Sequence, residues 1–440
     1  MKNVLASVML IGFISIFAGT VFAVELISTA DDQLSIGGRM QMLGVAEILK
    51  DSLNSTTATF TKKDPLRIFL FQKQARLNLK GKHNSTDYYL EMMFGGEEVP
   101  KSNTVMSLLD YYIDTPLFGS HSIKVGQFKV PYGRERLTSP EVLNNADRSI
   151  QNLASGVGRD IGFAVHGNHG NMIGTIGVFT GGGMDVPQRY LPEVFGFPML
   201  VVRAGINNKL DRDVFTPYQV ERADNDGTRY AGYVNAFYTK DSRVGHSNAL
   251  GTKAGNYAYD KSLLLNASWN PYISSTLQAE YWQAGADFAV EMPMKGKICS
   301  SVIEINYGKY KNDNGSLELL SGMAKESVII GKYEIGLRYA VIVPDKNIAY
   351  TDTATKKTYK IVDSGIIHEV APSLVININK NMKIVMDAPI GLNSPVAIEK
   401  GNGAYDLMKQ PDQVSYAKTG SGIIERQTTK TGRAMFQFVF

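Results

Sequence analysis

The chain of 440 residues has a single cysteine, Cys299, so no disulfide can form within it. It has only six histidines, with no H-x-x-x-H or C-x-x-C spacing. A metal centre therefore has no support, and no cofactor is expected. There is no G-x-x-x-x-G-K-[ST] phosphate loop and no G-x-S-x-G elbow. His166, His169, His246 and His368 stand apart from any nucleophile motif, so the chain does not read as an enzyme. After Ala23 no run of about 18 uncharged apolar residues recurs, which excludes a later membrane-spanning helix. No Pro/Ser-rich linker, composition break or helical repeat is visible, so residues 24–440 read as one unit. Strong charge of one sign is also missing. Lys and Arg number 46 against 42 Asp and Glu, and no nucleic-acid partner is expected.

The two ends of the chain are more informative. Met1-Lys2-Asn3 is a short positive start, Val4 to Phe22 is largely apolar, and Val21-Phe22-Ala23 places small residues two apart. This pattern predicts a secretory leader, residues 1–23, cleaved after Ala23. An uncleaved membrane anchor is the alternative. Loss of Lys2 would leave 45 basic against 42 acidic residues, a balance of +3. At the other end, Phe436, Phe438 and Phe440 alternate, which puts them on one face of a strand. A soluble chain rarely leaves three phenylalanines at a fraying end, whereas a barrel's last strand must meet lipid. The ending resembles the C-terminal signal by which the barrel-assembly machinery recognises bacterial outer-membrane proteins, with Phe440 as its final residue.

Between the ends, period-two alternation repeats with turn residues between segments. In Leu34–Ile48, Leu34, Ile36, Met40, Met42 and Ile48 oppose Ser35, Arg39, Gln41 and Glu47. In Arg67–Lys80, Phe69, Phe71, Leu77 and Leu79 oppose Gln72, Gln74, Arg76, Asn78 and Lys80, while Lys73 breaks the rule by falling among the apolar residues. Asp87–Phe94, Lys261–Asn270 and Lys332–Val343 alternate likewise. These lengths suit tilted strands crossing a bilayer. A mean hydropathy of -0.12 fits too, because only every second residue meets lipid. The 42 glycines and 22 tyrosines suit tight turns and interfacial girdles. Connections alternate long and short, as between external loops and periplasmic turns. The expected fold is an all-β transmembrane antiparallel barrel of 16 strands, with 18 as fallback. Seventeen segments can be marked, and an odd number implies at least one error. Ser301–Val343, where Asn314-Gly315 suggests a tight hairpin, is the weak zone. The connection Asn208–Thr228 is long for a periplasmic turn.

The central block Gly126-Gln127-Phe128-Lys129-Val130-Pro131-Tyr132-Gly133-Arg134-Glu135-Arg136-Leu137-Thr138-Ser139, then Asp147-Arg148-Ser149 and Gly158-Arg159-Asp160-Ile161-Gly162, resembles the phosphate-selective porin O/P family. The resemblance implies a 16-stranded barrel in the bacterial outer membrane, usually a homotrimer, that passes small anions such as phosphate by diffusion. It also implies that the loop after the fifth strand, Pro131–Gly158, folds inward as a constriction.

That loop and its flanks carry Lys129, Arg134, Arg136, Arg148 and Arg159, the expected anion-attracting residues, among Glu135, Glu141, Asp147 and Asp160. Arginine suits phosphate through two parallel hydrogen bonds. The same arginines could equally brace the loop through ion pairs. Expected inward residues of the pore wall are Arg39, Arg76, Lys80, Arg203 and Arg338, with Glu47, Asp87, Glu91, Asp110, Asp114, Glu280, Glu304 and Glu334. This mixture predicts a mild anion preference at most. The competing reading is a structural or adhesive barrel with long binding loops and a blocked lumen.

Overall fold

The computed structural model describes residues 24–29, 31–48, 52–54, 59–61, 66–96, 106–181, 196–208, 227–241, 279–312, 315–344, 349–351, 358–360, 366–397 and 424–440. Sixteen antiparallel strands close on themselves. They are β1 (Asp32–Ile48), β2 (Leu66–His83), β3 (Thr86–Gly96), β4 (Ser107–Phe118), β5 (His121–Lys129), β6 (Arg159–His169), β7 (Met172–Phe179) and β8 (Gly196–Asn207). There follow β9 (Arg229–Asp241), β10 (Ala279–Met294), β11 (Lys297–Asn312), β12 (Gly315–Ile330), β13 (Tyr333–Pro344) and β14 (Ile367–Asn379). The last two are β15, in two pieces (Met382–Asp387 and Ile390–Ala397), and β16 (Ile424–Val439). Each strand pairs with the next, and β16 returns to β1, with Phe438 opposite Met40 and Phe436 opposite Met42. A short strand, Val24–Ser28, folds back on β1 beside this seam.

Closure is the physical requirement of the surroundings. A backbone amide facing hydrocarbon has no water to bond, so an open edge would be costly. The terminal residue completes the seam through two main-chain bonds: Phe440 N–H donates to the Gly38 carbonyl at 2.9 Å, and the Phe440 main-chain oxygen accepts from Gly38 N–H at 2.8 Å. Gly38 has no side chain for a reason. A Cβ there would stand 2.6 Å from the Phe440 ring and 2.5 Å from the Arg76 carbonyl.

Tight turns join β2–β3, β4–β5, β6–β7, β10–β11, β12–β13 and β14–β15 at one end. At β10–β11 both Lys295 and Gly296 take positive φ, the pattern that matches strand twist in a two-residue turn. The Asn208–Thr228 connection leaves from this same end, where Asn207 N–H bonds the Asn171 carbonyl. A β11–β12 hairpin is also present at the opposite end, where Asn312 faces Gly315; residues 313 and 314 lie outside the described residues. The Lys261–Asn270 segment lies outside the described residues.

Alternation sorts the side chains. Ile113, Ile176, Val234, Ile303, Ile335 and Leu337 are exposed on the outer face. Tyr230 and Tyr333 are exposed near the turn end of that face. Toward the loop end, Trp282 packs edge-on to Tyr307, and Lys309 and Tyr307 both bond Glu318. An apolar band flanked by aromatic and charged girdles is the exterior that a bilayer demands. No described helix is long and apolar enough to span a membrane.

Two expected orientations are corrected. On β2, Gln72 faces Met42 and Gln74 faces Gln41, so Lys73 is the extra residue of a β-bulge. A one-residue insertion exchanges the faces. Before the bulge Ile68 and Leu70 point outward and are exposed, while Phe71 packs against the inner cluster of Leu43, Val375, Val385 and Met435. After it, Gln74 and Arg76 point inward and are buried. Lys73 is thereby carried into the lumen. Glu280 lies on the outer face with Trp282, bonded to Tyr238, and Asp287 and Gln283 occupy the inner face of β10. The side chains of Glu47, Ile48 and Phe69 lie outside the described residues. Replacing Gly38 by Val should cost about 1–3 kcal/mol through overpacking at the seam. Urea unfolding in detergent checks this, with Gly174→Ala, where a Cβ meets open space, as the neutral comparison.

Candidate functional site: an infolded loop braced on the barrel wall

The chain leaves β5 at Lys129 and re-enters the sheet at Arg159. Between them lie two short helices, α1 (Arg134–Leu137) and α2 (Ile150–Ser155). Val130 N–H bonds the Gly158 carbonyl, which ties the neck of the loop. Gly133 takes φ 70, and its N–H reaches the Asn235 side chain of β9 at 3.2 Å. Tyr132 is buried against Phe237 and bonds Asn306 at 2.8 Å. The carboxylate of Glu304, on β11, accepts the Glu135 N–H at 2.8 Å, beside the start of α1, where amides are otherwise unpaired.

From there the loop crosses the lumen. Arg134 donates to Asp287 on β10 at 2.8 Å and to the Ala231 carbonyl on β9 at 3.0 Å. Asp287 also receives Arg203 of β8 at 2.7 Å, and its side chain is fully buried. Glu135 bonds the N–H and hydroxyl of Ser149, and Arg338 of β13 lies 3.5 Å from it. Arg338 also holds Glu369 of β14 at 2.8 Å and donates to the Asp147 carbonyl at 2.7 Å. On the facing side, Arg39 of β1 donates to Ser139 at 3.0 Å and to Glu141 at 3.1 Å. Gln437 of β16 donates to the Glu141 carbonyl at 2.8 Å, and Lys383 of β15 to the Leu143 carbonyl at 2.8 Å. Lys73, delivered inward by the bulge, binds the Ala146 carbonyl and pairs with Asp147 at 3.1 Å. Asp387, held by Arg433, accepts the Ala146 N–H at 3.0 Å. Ser155 bonds Ser321 of β12.

Every basic site residue expected from the sequence has a described position. Arg134, Arg203 and Arg338 are deeply buried in ion pairs that join loop to wall or wall to wall. Arg148 donates to the Glu135 and Thr138 carbonyls within the loop. Lys129 donates to the Leu137 carbonyl. Arg159 pairs with Asp110 at 2.8 Å and Glu91 at 3.4 Å, and Arg76 pairs with Glu91 at 2.6 Å. Arg136 is half-buried on α1, and Lys80 is exposed toward the turn end. Lys129 feels the charges of Arg159, Arg148 and Arg39, with Asp110 opposing them. Asp287, Lys73, Asp387 and Arg433 were absent from the expected set. The Lys73 anomaly was visible in the alternation, and Asp287 alternates with Phe288, but neither partner could be read from one strand.

Of two aspartate–histidine contacts among the described residues, His166–Asp114 is shared with Lys124 at 3.2 Å and His83–Asp32 is exposed at the turn end. The barrel, its lipid-facing exterior and its polar interior define an integral outer-membrane porin. More particularly, the chain belongs to the family of phosphate-selective porins O and P, whose model matches residues 61–361. Family and fold are of the channel type. Similar solved structures include an outer-membrane expressed OmpT of Vibrio cholerae, at 7% identity and TM-score 0.51, covering 94% of this chain and 99% of that one. In-vitro folded OmpT of the same organism in a trimer form has 8% identity and TM-score 0.50, covering 93% of this chain and 100% of that one. An anion-selective porin from Comamonas acidovorans shows 12% identity and TM-score 0.49, covering 93% of this chain and 100% of that one. No curated protein sequence matches the chain.

Two predictions follow from the bracing. Asp287→Ala would leave Arg134 and Arg203 buried without their carboxylate, at a cost of about 3–5 kcal/mol. Glu141→Ala, which removes a partly exposed carboxylate and leaves buried Arg39 still bonded to Ser139, should cost about 1 kcal/mol. Chemical unfolding of both variants checks the contrast. Burial pushes the Asp147 carboxyl up, but Lys73, Arg433 and the Arg148 N–H outweigh it and hold it at about 2 against an ordinary 3.8. A depressed acid stabilises above its unfolded value and loses that contribution as pH falls through its folded value. The Asp147 contribution to loop anchoring should therefore be constant from pH 7 to 4 and weaken between about 3.8 and about 2. Lys73→Met should move this acid limb to higher pH, measured as stability against pH.

Proposed function

We propose that the porin passes small hydrophilic solutes by passive diffusion with a mild preference for anions, phosphate being the candidate suggested by its family. The observation that supports this most directly is the basic cluster of Arg39, Lys129, Arg148 and Arg159, where the neck of the loop faces the β1–β4 wall. Arg76 adds a fifth cation through Glu91, which it shares with Arg159. The opposing carboxylates there are Glu91, Asp110 and Glu141. Basic residues raise the local concentration of anions, and adjacent carboxylates keep residence short enough for release. Pro131–Gly158 acts in this reading as the constriction, and Arg134, Arg203 and Arg338 serve it as braces. Arg136 and Lys80 contribute to the approaches.

The mechanism needs no covalent step, and we assign no catalysis. A leader cleaved after Ala23, assembly through the strand ending at Phe440, and a homotrimer complete the proposal. Planar-bilayer recording under a salt gradient tests it. The wild type should show a reversal potential of the anion-selective sign. The double variant Arg39→Gln/Arg148→Gln should lower the anion-to-cation permeability ratio about threefold or more. Equal permeability in the wild type, or selectivity unchanged in the variant, would sink the reading.

A further inference from the structure

On the wall opposite the basic cluster, Lys325 of β12 stands out among the inward cations. Its neighbours Arg134, Arg338 and Lys383 each donate to a carboxylate or carbonyl. Among the described residues no hydrogen bond or ion pair reaches the Lys325 ammonium. Glu334 and Glu135 attract it only across space, while Arg338 and Arg134 repel it. It lines a cavity of about 30 Å³ between loop and wall, together with Arg134, Glu135, Asn144, Ser300 and Glu334. The Ser300 hydroxyl in this lining is buried without a partner, as is that of Ser327, its register partner on β12. Glu334 is already engaged by the Asn144 amide at 2.9 Å, and it faces the charge of Lys383.

A half-buried ammonium with no protein partner beside a buried, unpaired hydroxyl suits an acceptor that carries negative charge, because the unpaired buried hydroxyl is costly. The cavity has room for one or two water-sized particles, which suits a dehydrated halide and is too small for an oxyanion with its four oxygens. We infer that this cavity is a structural chloride site, at which Lys325 and Ser300 hold a monatomic anion that seals the loop to the β11–β13 wall. The site is separate from the proposed permeation cluster and does not depend on phosphate selectivity. A ligand bound to the folded state alone stabilises it in proportion to the logarithm of its concentration.

The test compares thermal unfolding of the full-length protein in detergent in sodium chloride, sodium bromide and sodium gluconate at equal ionic strength. Chloride and bromide should raise the midpoint over gluconate by about 2 °C or more. Lys325→Met should abolish the difference and Ser300→Ala should reduce it. Should Lys325→Met fail to fold, anomalous diffraction from bromide-soaked wild-type crystals decides, with a peak expected in the cavity beside the Lys325 ammonium. Equal midpoints in all three salts, a halide effect retained by Lys325→Met, or no bromide peak there would overturn the site. Loss of anion selectivity in the bilayer experiment would leave these outcomes untouched, so the two proposals fail separately.

Discussion

The seam between β16 and β1 governs this molecule. Hydrocarbon offers no hydrogen-bond partner, so the ladder must close, and Phe440 and Gly38 complete it through two main-chain bonds. Once the sheet is closed, every strand has a lipid face and a lumen face. The outer face must be apolar, and the inner face becomes the place where charge can gather. The side-chain chemistry of the interior is a consequence of closure.

Gathering charge inside a narrow barrel brings its own constraint. An unpaired ion away from water is expensive, and removing one partner costs more than the pair gains. The chain answers with shared carboxylates: Asp287 between Arg134 and Arg203, Glu91 between Arg76 and Arg159, and Asp387 between Arg433 and the loop backbone. The infolded loop is held by this lattice more than by apolar packing. The same arginines that suggest anion binding in the sequence therefore divide by environment. Those paired in the deep interior hold the architecture, and those near the loop neck share Glu91, Asp110 and Glu141 among them.

Much of the fold was legible in single strands. The alternation of Tyr333, Ile335, Leu337 and Tyr339 against Arg338 places both faces of β13 correctly. The turn signals mark the hairpins, including Asn314-Gly315. Reading failed where the period slipped. The Lys73 bulge exchanges the faces of β2, and on β10 two aromatic neighbours, Tyr281 and Trp282, give no decision about which side is apolar. Tyr281 proves to be inward and buried, and Glu280 is outward with Trp282. An alternation rule assumes exactly two residues per repeat, and a bulge adds one without any mark in composition.

The sequence by itself determined the barrel class, the membrane it suits and the loop that departs after the fifth strand, because these follow from local periodicity, chain ends and a contiguous motif. It also marked Arg134, Arg203 and Arg338 as inward, while Lys73 and Arg433 were absent from the expected set. Their partners were decided only by tertiary structure. Asp287 is 153 residues from Arg134, and Asp387 is 241 from Ala146. Contacts at that separation arise from register and closure around the whole barrel, and no single segment of the chain contains them.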